Sequence, residues 1–197
     1  MSSFNVIVAG VGGQGVILTS RLIGLAAIKK GLHAVTAETI GMAQREGSVI
    51  SHVRFGEKTY GPLIPKREAD LILGLEPAEA ARQMPFLKQE GKMVVNTFPI
   101  LPSSAFLEEN GYDLKQILNF IAQKCPASFL FNAREVAVRA GNYKTVNIAI
   151  LGCAAALGFL PFASDYLWEV IASELPAKIL ASNKKAFELS HALGHNR

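Results

Sequence analysis

The chain has 197 residues, of which 50% are hydrophobic and 18% charged, and its net charge is +4. This length and apolar content suffice for one ordinary hydrophobic core, and the weak, dispersed positive charge excludes the dense basic stripe of a nucleic-acid-binding protein. Two cysteines without a Cys-x-x-Cys spacing exclude an iron–sulfur cluster or a zinc site built from this chain's own thiolates.

The N-terminal region lacks the charged and apolar segments of a secretory signal peptide. The longest apolar run lies within 146–162 and is too short for a membrane span. We therefore expect a cytoplasmic protein with no membrane association, built as a single domain over 1–197.

The first 38 residues predict a β-α-β unit. A buried strand at Phe4–Ala9 leads through a tight turn into a helix at Gly15–Lys30, which Gly31 ends, and a second strand follows at His33–Glu38. This order is the opening of a doubly wound parallel sheet.

The middle of the chain alternates strands with helices, after an aperiodic loop at Thr39–Ser48. The predicted strands are Val49–Phe55, a short one near Tyr60, Ala69–Gly74, Lys92–Asn96 and Ser128–Phe131. The predicted helices are Glu76–Gln83 with Pro77 in its first turn, a helix capped by Asp113 that runs to Lys124, and Ala133–Arg139; a Pro-rich loop covers Thr97–Ser104.

From Thr145 onward the chain is predicted to be helical in three pieces. Breaks fall at Gly158–Pro161 and at Leu175-Pro176, and Ser164 is the expected cap of the second piece. The whole order predicts an α/β fold, Rossmann-like and doubly wound, with a mainly parallel sheet and a helical C-terminal part.

A glycine-rich loop, Gly10-Val11-Gly12-Gly13-Gln14-Gly15, joins the first strand to the first helix. Glycines at this spacing allow a tight turn, a close approach of the backbone to a phosphate, and close packing of helix and strand, while N–H groups at a helix start bind anions. The loop predicts a phosphate-binding site at Gly10, Gly12, Gly13, Gln14 and Gly15. Glu38 stands near the position of a ribose-binding acid, so dinucleotide binding is one alternative, and a loop whose glycines only shape the turn is another.

A second motif, Gly41-Met42-Ala43-Gln44-Arg45-Glu46-Gly47-Ser48-Val49, runs into Ser51-His52-Val53-Arg54. Gln44, Arg45 and Ser48 are candidate anion ligands beside the glycine loop; alternatively, Arg45 and Arg54 pair with local carboxylates such as Glu46. His52 and Arg54 share one side of a strand, where we interpret His52 as structural.

Two polar residues precede or begin the apolar helix at the end of the chain. Lys144 either reaches a phosphate or is solvated, and Asn147 is expected to be paired in the fold or at an interface. No residue is assigned a catalytic role and none a metal-binding role.

The two motifs, in this order, resemble the gamma domain of pyruvate/2-oxoacid:ferredoxin oxidoreductases. The stretches 61–65, 69–77 and 147–152 extend the resemblance over nearly the whole chain. Within this family the run 44–54 and the helix break at 157–161 are most similar to the small (beta) subunits of indolepyruvate ferredoxin oxidoreductases. The alternatives are a gamma subunit of a pyruvate or 2-oxoglutarate ferredoxin oxidoreductase and a stand-alone dinucleotide-binding Rossmann protein. One departure is Glu46-Gly47, where many relatives carry Gly-Gly.

The resemblance implies a two-subunit enzyme whose large subunit holds thiamine diphosphate and [4Fe–4S] clusters. Such an enzyme decarboxylates an aryl 2-oxoacid, passes two electrons to ferredoxin and releases an aryl-acetyl-CoA. The chain itself is expected to complete the assembly and to share a coenzyme A site, with the glycine loop at the phosphates. The implied state is a hetero-oligomer, or a dimer when the chain is isolated.

Overall fold

The computed structural model describes residues 3–40, 47–57, 59, 61–100 and 112–196. Among these residues, six strands and seven helices alternate, which confirms the predicted α/β class. The strands are β1 (Phe4–Val11), β2 (His33–Ile40), β3 (Ser48–Gly56), β4 (Ala69–Gly74), β5 (Leu87–Asn96) and β6 (Ser128–Phe131). The helices are α1 (Val16–Lys29), α2 (Pro77–Gln83), α3 (Leu114–Lys124), α4 (Ala133–Arg139), α5 (Val146–Ala156), α6 (Ser164–Glu174) and α7 (Ala177–His195).

The strands form one sheet in the order β2-β3-β1-β4-β5-β6. The pairs β1–β4, β4–β5 and β5–β6 are parallel, whereas β3 is antiparallel to both β1 and β2. The strands β1 and β2 therefore run in the same direction, as a β-α-β unit requires, but β3 lies between them. The sheet is mainly parallel, as predicted, and the insertion of β3 is a tertiary feature that the strand patterns do not contain.

Apolar residues cover both faces of the central strands. Alternate residues of β1 point to opposite sides, so Val6 and Val8 contact one apolar cluster and Ile7 and Ala9 the other. The first cluster joins the sheet to α1, α4, α5, α6 and α7, and the second joins it to α2 and α3. Burial on both faces explains why the sequences of these strands are continuous apolar runs.

The carboxyl ends of β1 and β4 form the point at which the chain turns to opposite faces of the sheet. Leu22 and Ile23 of α1, which follows β1, pack in the first cluster, while Ala80 of α2, which follows β4, packs in the second. In open α/β sheets, ligands bind outside the carboxyl ends of the strands at such a switch point. The glycine loop, which follows β1, lies at this switch point.

Most predicted boundaries agree with the structure to within two residues: β1 and β2 each end two residues later than predicted, whereas β5 begins five residues earlier. β1 extends to Val11 because Gly10 and Val11 pair with β3, and β5 begins at Leu87 because this residue pairs with Ala69 across a register shift. The predicted strand near Tyr60 lies outside the described residues, and its described neighbours Thr59 and Gly61 are not in a strand.

The prediction that Ser164 caps its helix is wrong. Ala163 is the N-cap of α6 and no side chain caps it, while the Ser164 hydroxyl lies 2.9 Å from Nε2 of His191 on α7. A partner that is 27 residues away in sequence outcompetes the local backbone. The other predicted ends hold: Gly31 (φ 77°) follows α1, and Asp113 caps α3 through the N–H of Gln116.

No helix in the described parts of the chain has the combination of length and apolarity that would let it cross a membrane.

Candidate functional site

The glycine loop turns sharply from β1 into α1. Gly13 (φ 91°) and Gly15 (φ 85°) occupy the left-handed region, which side-chain-bearing residues rarely adopt. The N–H of Gly12 donates to Gly47 O (2.9 Å) and that of Gln14 to Val11 O (3.2 Å). Among the described residues, the N–H groups of Gly13 and Gly15 have no backbone acceptor, so they are available to a ligand at the start of α1.

Gln14 holds this loop in shape. Its Oε1 accepts from the N–H of Val11 (2.8 Å), and its Nε2 donates to Leu75 O (2.8 Å) at the end of β4. A Cβ on Gly10 would lie 2.7 Å from the same Oε1 atom, so the glycine makes room for the carboxamide. Gln14 thus connects the loop to β4, and its side chain contributes to a site chiefly by positioning the backbone.

A cavity of about 380 Å³ opens beside the loop at the carboxyl end of the sheet. This volume falls in the range of small-molecule sites. Its described lining includes two cations and no carboxylate, an arrangement that favours an anionic ligand. The lining residues are Val11, Gly12, Gly13, Gln14, Asn96, Phe98, Ile100, Arg134, Tyr143, Lys144 and Val146.

The two cations of the cavity stand against aromatic rings. Arg134 Cζ lies 4.6 Å from the ring centroid of Phe98 and 5.5 Å from that of Tyr143, and Lys144 Nζ lies 6.0 Å from the Tyr143 centroid. Arginine is held between the two rings by cation–π contacts and keeps its N–H groups for an anion. Arg134 sits in the first turn of α4, whose N-cap Asn132 accepts from the N–H of Glu135 (3.0 Å).

Asn96, the last residue of β5, connects the part of the cavity formed by Phe98 and Arg134 to the sheet. Its Nδ2 donates to Leu75 O (3.0 Å) and Phe98 O (3.2 Å), while its Oδ1 accepts from the N–H groups of Phe98 (3.2 Å) and Ala133 (3.0 Å). The buried side chain therefore connects β4, the segment that carries Phe98 and the start of α4. A fully satisfied polar group of this kind fixes one arrangement of its surroundings.

Two buried carboxyl groups lie behind the loop in the first turn of α2. Glu76 caps the helix by accepting from Glu79 N–H (2.8 Å), and it also accepts from the Tyr112 hydroxyl. Burial raises the pKa of Glu76 above its ordinary value, although the hydrogen bond from Tyr112 acts in the opposite direction. Glu79 contacts Arg82 and accepts from the Ser48 hydroxyl (2.6 Å). Both carboxyl groups are therefore engaged by partners within the fold.

The predicted site residues separate into three groups. Gly12, Gly13 and Gln14 line the cavity, while Gly10 and Gly15 shape the loop on either side of it. Ser48 lies outside the cavity lining and binds Glu79 instead. Gln44 and Arg45, like Glu46, lie outside the described residues.

His52 and Arg54 lie on the same side of β3, as predicted, and both have structural partners. His52 Nδ1 accepts from the N–H of Ile64 (3.1 Å), and burial followed by the nearby Arg54 charge lowers the pKa of His52. Arg54 donates to Asn5 Oδ1 (3.0 Å) and to the carbonyls of Gly61 and Leu63. Arg54 therefore binds neutral acceptors and not a carboxylate, which was one alternative from the sequence.

Glu38 does not have the position that a ribose-binding acid needs. It lies exposed on the edge strand β2, opposite Ser51, and β3 separates it from β1 and the glycine loop. In a dinucleotide site the acidic residue ends the strand next to the one that carries the glycines. This geometry disfavours the dinucleotide alternative.

The two cysteines lie on opposite sides of the sheet. Cys125 belongs to the cluster under α3, Cys153 to the cluster around α5, and both are buried. Burial raises the pKa of the Cys125 thiol. The described residues contain no group of three His, Cys, Asp or Glu side chains that could hold a metal ion.

Four lining residues, Asn96, Phe98, Arg134 and Tyr143, were not predicted from the sequence. Two of them could have been identified from their positions at the ends of predicted elements. Asn96 ends one parallel strand, and Arg134 begins the helix after another, so both fall at the edge of the sheet where the glycine loop lies. Lys144, for which the sequence left phosphate contact open, lines the cavity.

The sequence matches the model of one protein family, "Pyruvate ferredoxin/flavodoxin oxidoreductase", over residues 5–193. The chain belongs to this family. It is 37% identical to "Indolepyruvate oxidoreductase subunit IorB" of Pyrococcus horikoshii over 191 residues, which are 96% of this chain and 95% of that protein. Further curated relatives of the same name, from three other archaea, are 36% to 39% identical.

Solved structures of the family share the fold at low identity. The gamma subunit of a keto/oxoacid ferredoxin oxidoreductase from Geobacter sulfurreducens superposes with a TM-score of 0.71 at 22% identity, covering 98% of this chain and 99% of that one. The 2-oxoglutarate:ferredoxin oxidoreductase of Magnetococcus marinus, solved with 2-oxoglutarate, coenzyme A and succinyl-CoA bound, gives 0.70 at 19% identity; the match covers 100% of this chain and 32% of that one. These likenesses confirm the Rossmann-like architecture.

Proposed function

We propose that the chain is the small subunit of an indolepyruvate:ferredoxin oxidoreductase and that its glycine-loop cavity binds the phosphates of coenzyme A. The complex would convert indolepyruvate, coenzyme A and two oxidised ferredoxins into indoleacetyl-CoA, CO₂, two reduced ferredoxins and a proton. Identity of 36% to 39% with four curated small subunits, over nearly the whole chain, supports the assignment of the subunit.

The convergence of Arg134 and Lys144 on the glycine loop carries the proposal for coenzyme A. Both cations line the cavity that Gly12 and Gly13 open, and the described lining has no acid to neutralise them. Guanidinium and ammonium groups bind phosphate through charge-assisted hydrogen bonds, and the left-handed glycines let the backbone approach it. The apolar Phe98 and Tyr143 rings offer contact to the uncharged parts of such a ligand.

The larger subunit is proposed to supply the redox chemistry. Thiamine diphosphate there would stabilise the carbanion left by decarboxylation, and iron–sulfur clusters would carry the electrons. The two cysteines of this chain, on opposite faces of the sheet, are consistent with that division of roles. This chain's residues would hold and orient the acyl acceptor.

The isolated chain is expected to carry no iron and to reduce no viologen with indolepyruvate and coenzyme A. Co-expression with the larger subunit should restore viologen reduction, because the cofactors of the larger subunit then meet the coenzyme A that this chain is proposed to hold. Iron analysis and an anaerobic viologen assay on both preparations measure this. Turnover by the isolated chain, or no gain over the larger subunit alone when the two are combined, would contradict the proposal.

The second motif is proposed to face the larger subunit. The strand after the motif, β3, lies inside the sheet with most of its residues buried, so the loop is the part of this region proposed to meet a partner. Arg45→Glu is expected to reduce the co-purified larger subunit at least tenfold, because a charge reversal in an interface places like charges together. Pull-down measures this, with Lys184→Glu on the surface of α7 as the control. Parent-like assembly of Arg45→Glu would remove the loop from the interface.

A further inference from the structure

A groove separates α3 from the end of α2 and the start of β5, on the side of the sheet opposite α5. It has a volume of about 490 Å³ and shares no lining residue with the glycine-loop cavity. Its apolar part consists of Ala81, Met84, Leu87 and Phe120. The groove has no role in the proposed coenzyme A site.

Phe120 is an exposed aromatic anchor at one wall of the groove. It is 44% exposed, although it belongs to a helix on which Ile121 is the buried residue. Met84 and Leu87 on the facing wall are half-buried and belong to the neighbouring apolar cluster. Aromatic residues beside a partly buried apolar floor are typical of the centre of a protein–protein contact.

The lining of the groove is positively charged. It contains Arg82, Lys88 and Lys124 and no carboxylate. Two of these cations pair with acids that are less exposed than they are. The side chains of Arg82 and Glu79 are 64% and 6% exposed, and those of Lys88 and Asp70 are 35% and 22% exposed. From α3, the groove is lined by Phe120 and Lys124, and the helix has no acid within Leu114–Lys124 to neutralise Lys124.

Beside the groove, Arg67 has a backbone conformation that side-chain-bearing residues rarely adopt. Its φ is 62°, the only left-handed value of a non-glycine residue within the described part of the chain. The conformation directs its N–H to the carbonyl of Pro85 (3.2 Å), a lining residue of the groove. Such a conformation costs energy, and retained strain of this kind clusters at functional positions.

We infer that the groove binds an acidic segment of the larger subunit, which places an apolar side chain between Phe120 and Met84 and carboxylates against Arg82 and Lys124. The inference rests on the proposed function, since it takes the chain to be one subunit of a complex. Charge complementarity selects an acidic partner, and the apolar floor selects a protein segment that carries an anchor side chain. The contact Ser48–Glu79–Arg82 links the groove to the end of the second motif, so one partner surface can reach both.

The test uses the co-expressed complex with Phe120→Asp and Lys124→Glu. Both changes are expected to lower the amount of larger subunit retained by a tagged small subunit at least tenfold. The deficit of Lys124→Glu relative to the parent should shrink at high salt, because salt screens the new repulsion between like charges. Lys115→Glu is the matched control: it makes the same charge reversal on α3, but nine residues from Lys124 and hence about 180° around the helix. Lys115 is exposed and does not line the groove.

Assembly and turnover of the parent complex test the proposed function separately. Given an active parent, loss of assembly in both variants with parent-like thermal unfolding of the small subunit, and assembly of Lys115→Glu, supports the groove as the docking site. Retained assembly of Lys124→Glu overturns the inference, whether or not Phe120→Asp folds. Retained assembly with a raised KM for ferredoxin also overturns it, because the groove would then face the electron acceptor.

Discussion

Replacement of Gly152 by alanine is expected to lower the free energy of unfolding by about 3 kcal/mol, at the upper end of the cost of overpacking. A Cβ at this position would lie 2.5 Å from Ser190 Oγ and 2.6 Å from the carbonyl oxygen of Phe187, so α5 and α7 would have to separate. The contact with Phe187 is to a backbone oxygen, which cannot rotate away as a side chain can. For a chain of this size the midpoint of thermal unfolding should fall by about 6 to 12 °C, measured by circular dichroism.

Gly24 is the matched control for this change. It lies within α1, and a Cβ there would meet only Thr36 Cγ2, at 3.8 Å. Gly24→Ala is therefore expected to leave stability unchanged or to raise it by about 0.5 to 1 kcal/mol, since alanine favours a helix. Parent-like unfolding of Gly152→Ala would show that α5 and α7 do not cross as closely as described.

Removal of both cations from the glycine-loop cavity is expected to raise the KM for coenzyme A of the complex about 100-fold or more. Hydrogen bonds to charged groups contribute about 1.5 to 3 kcal/mol each, and 1.4 kcal/mol is a factor of ten. Because Arg134 and Lys144 are proposed to hold phosphates and not the reacting atoms, kcat at saturating coenzyme A should change little. Steady-state kinetics of Arg134→Ala, Lys144→Ala and the double variant measure this.

Pantetheine, which lacks the phosphates, separates ionic binding from a distorted site. The parent and the double variant should use it equally poorly, whereas only the parent should favour coenzyme A. Arg139→Ala is the control, because Arg139 is exposed on the same helix as Arg134 and does not line the cavity. An unchanged KM for coenzyme A in the double variant would place its phosphates elsewhere.

The glycine loop was predictable because its chemistry is local. A strand, two glycines that adopt positive φ, and a helix start follow one another within the thirteen residues 4–16, and hydrogen bonds over short separations such as Val11–Gln14 maintain the turn. The same local logic correctly predicted the Asp113 cap and the end of α1 at Gly31. It failed at Ser164, where a histidine from another helix binds the hydroxyl.

The sequence by itself determined the α/β class, most of the strands and helices, the family and the glycine loop between β1 and α1, since all of these depend on periodicity and on motifs of neighbouring residues. Only the tertiary structure decided what surrounds the loop. Arg134 and Lys144 lie 119 and 129 positions beyond Gly15 and reach the cavity because β6 pairs with β5 and α5 packs under the sheet. The insertion of β3 between β1 and β2, which removes Glu38 from the loop, likewise depends on strand pairing. Pairings between distant segments are selected by the shared burial of apolar faces, and a linear pattern contains no record of which partner each face will find.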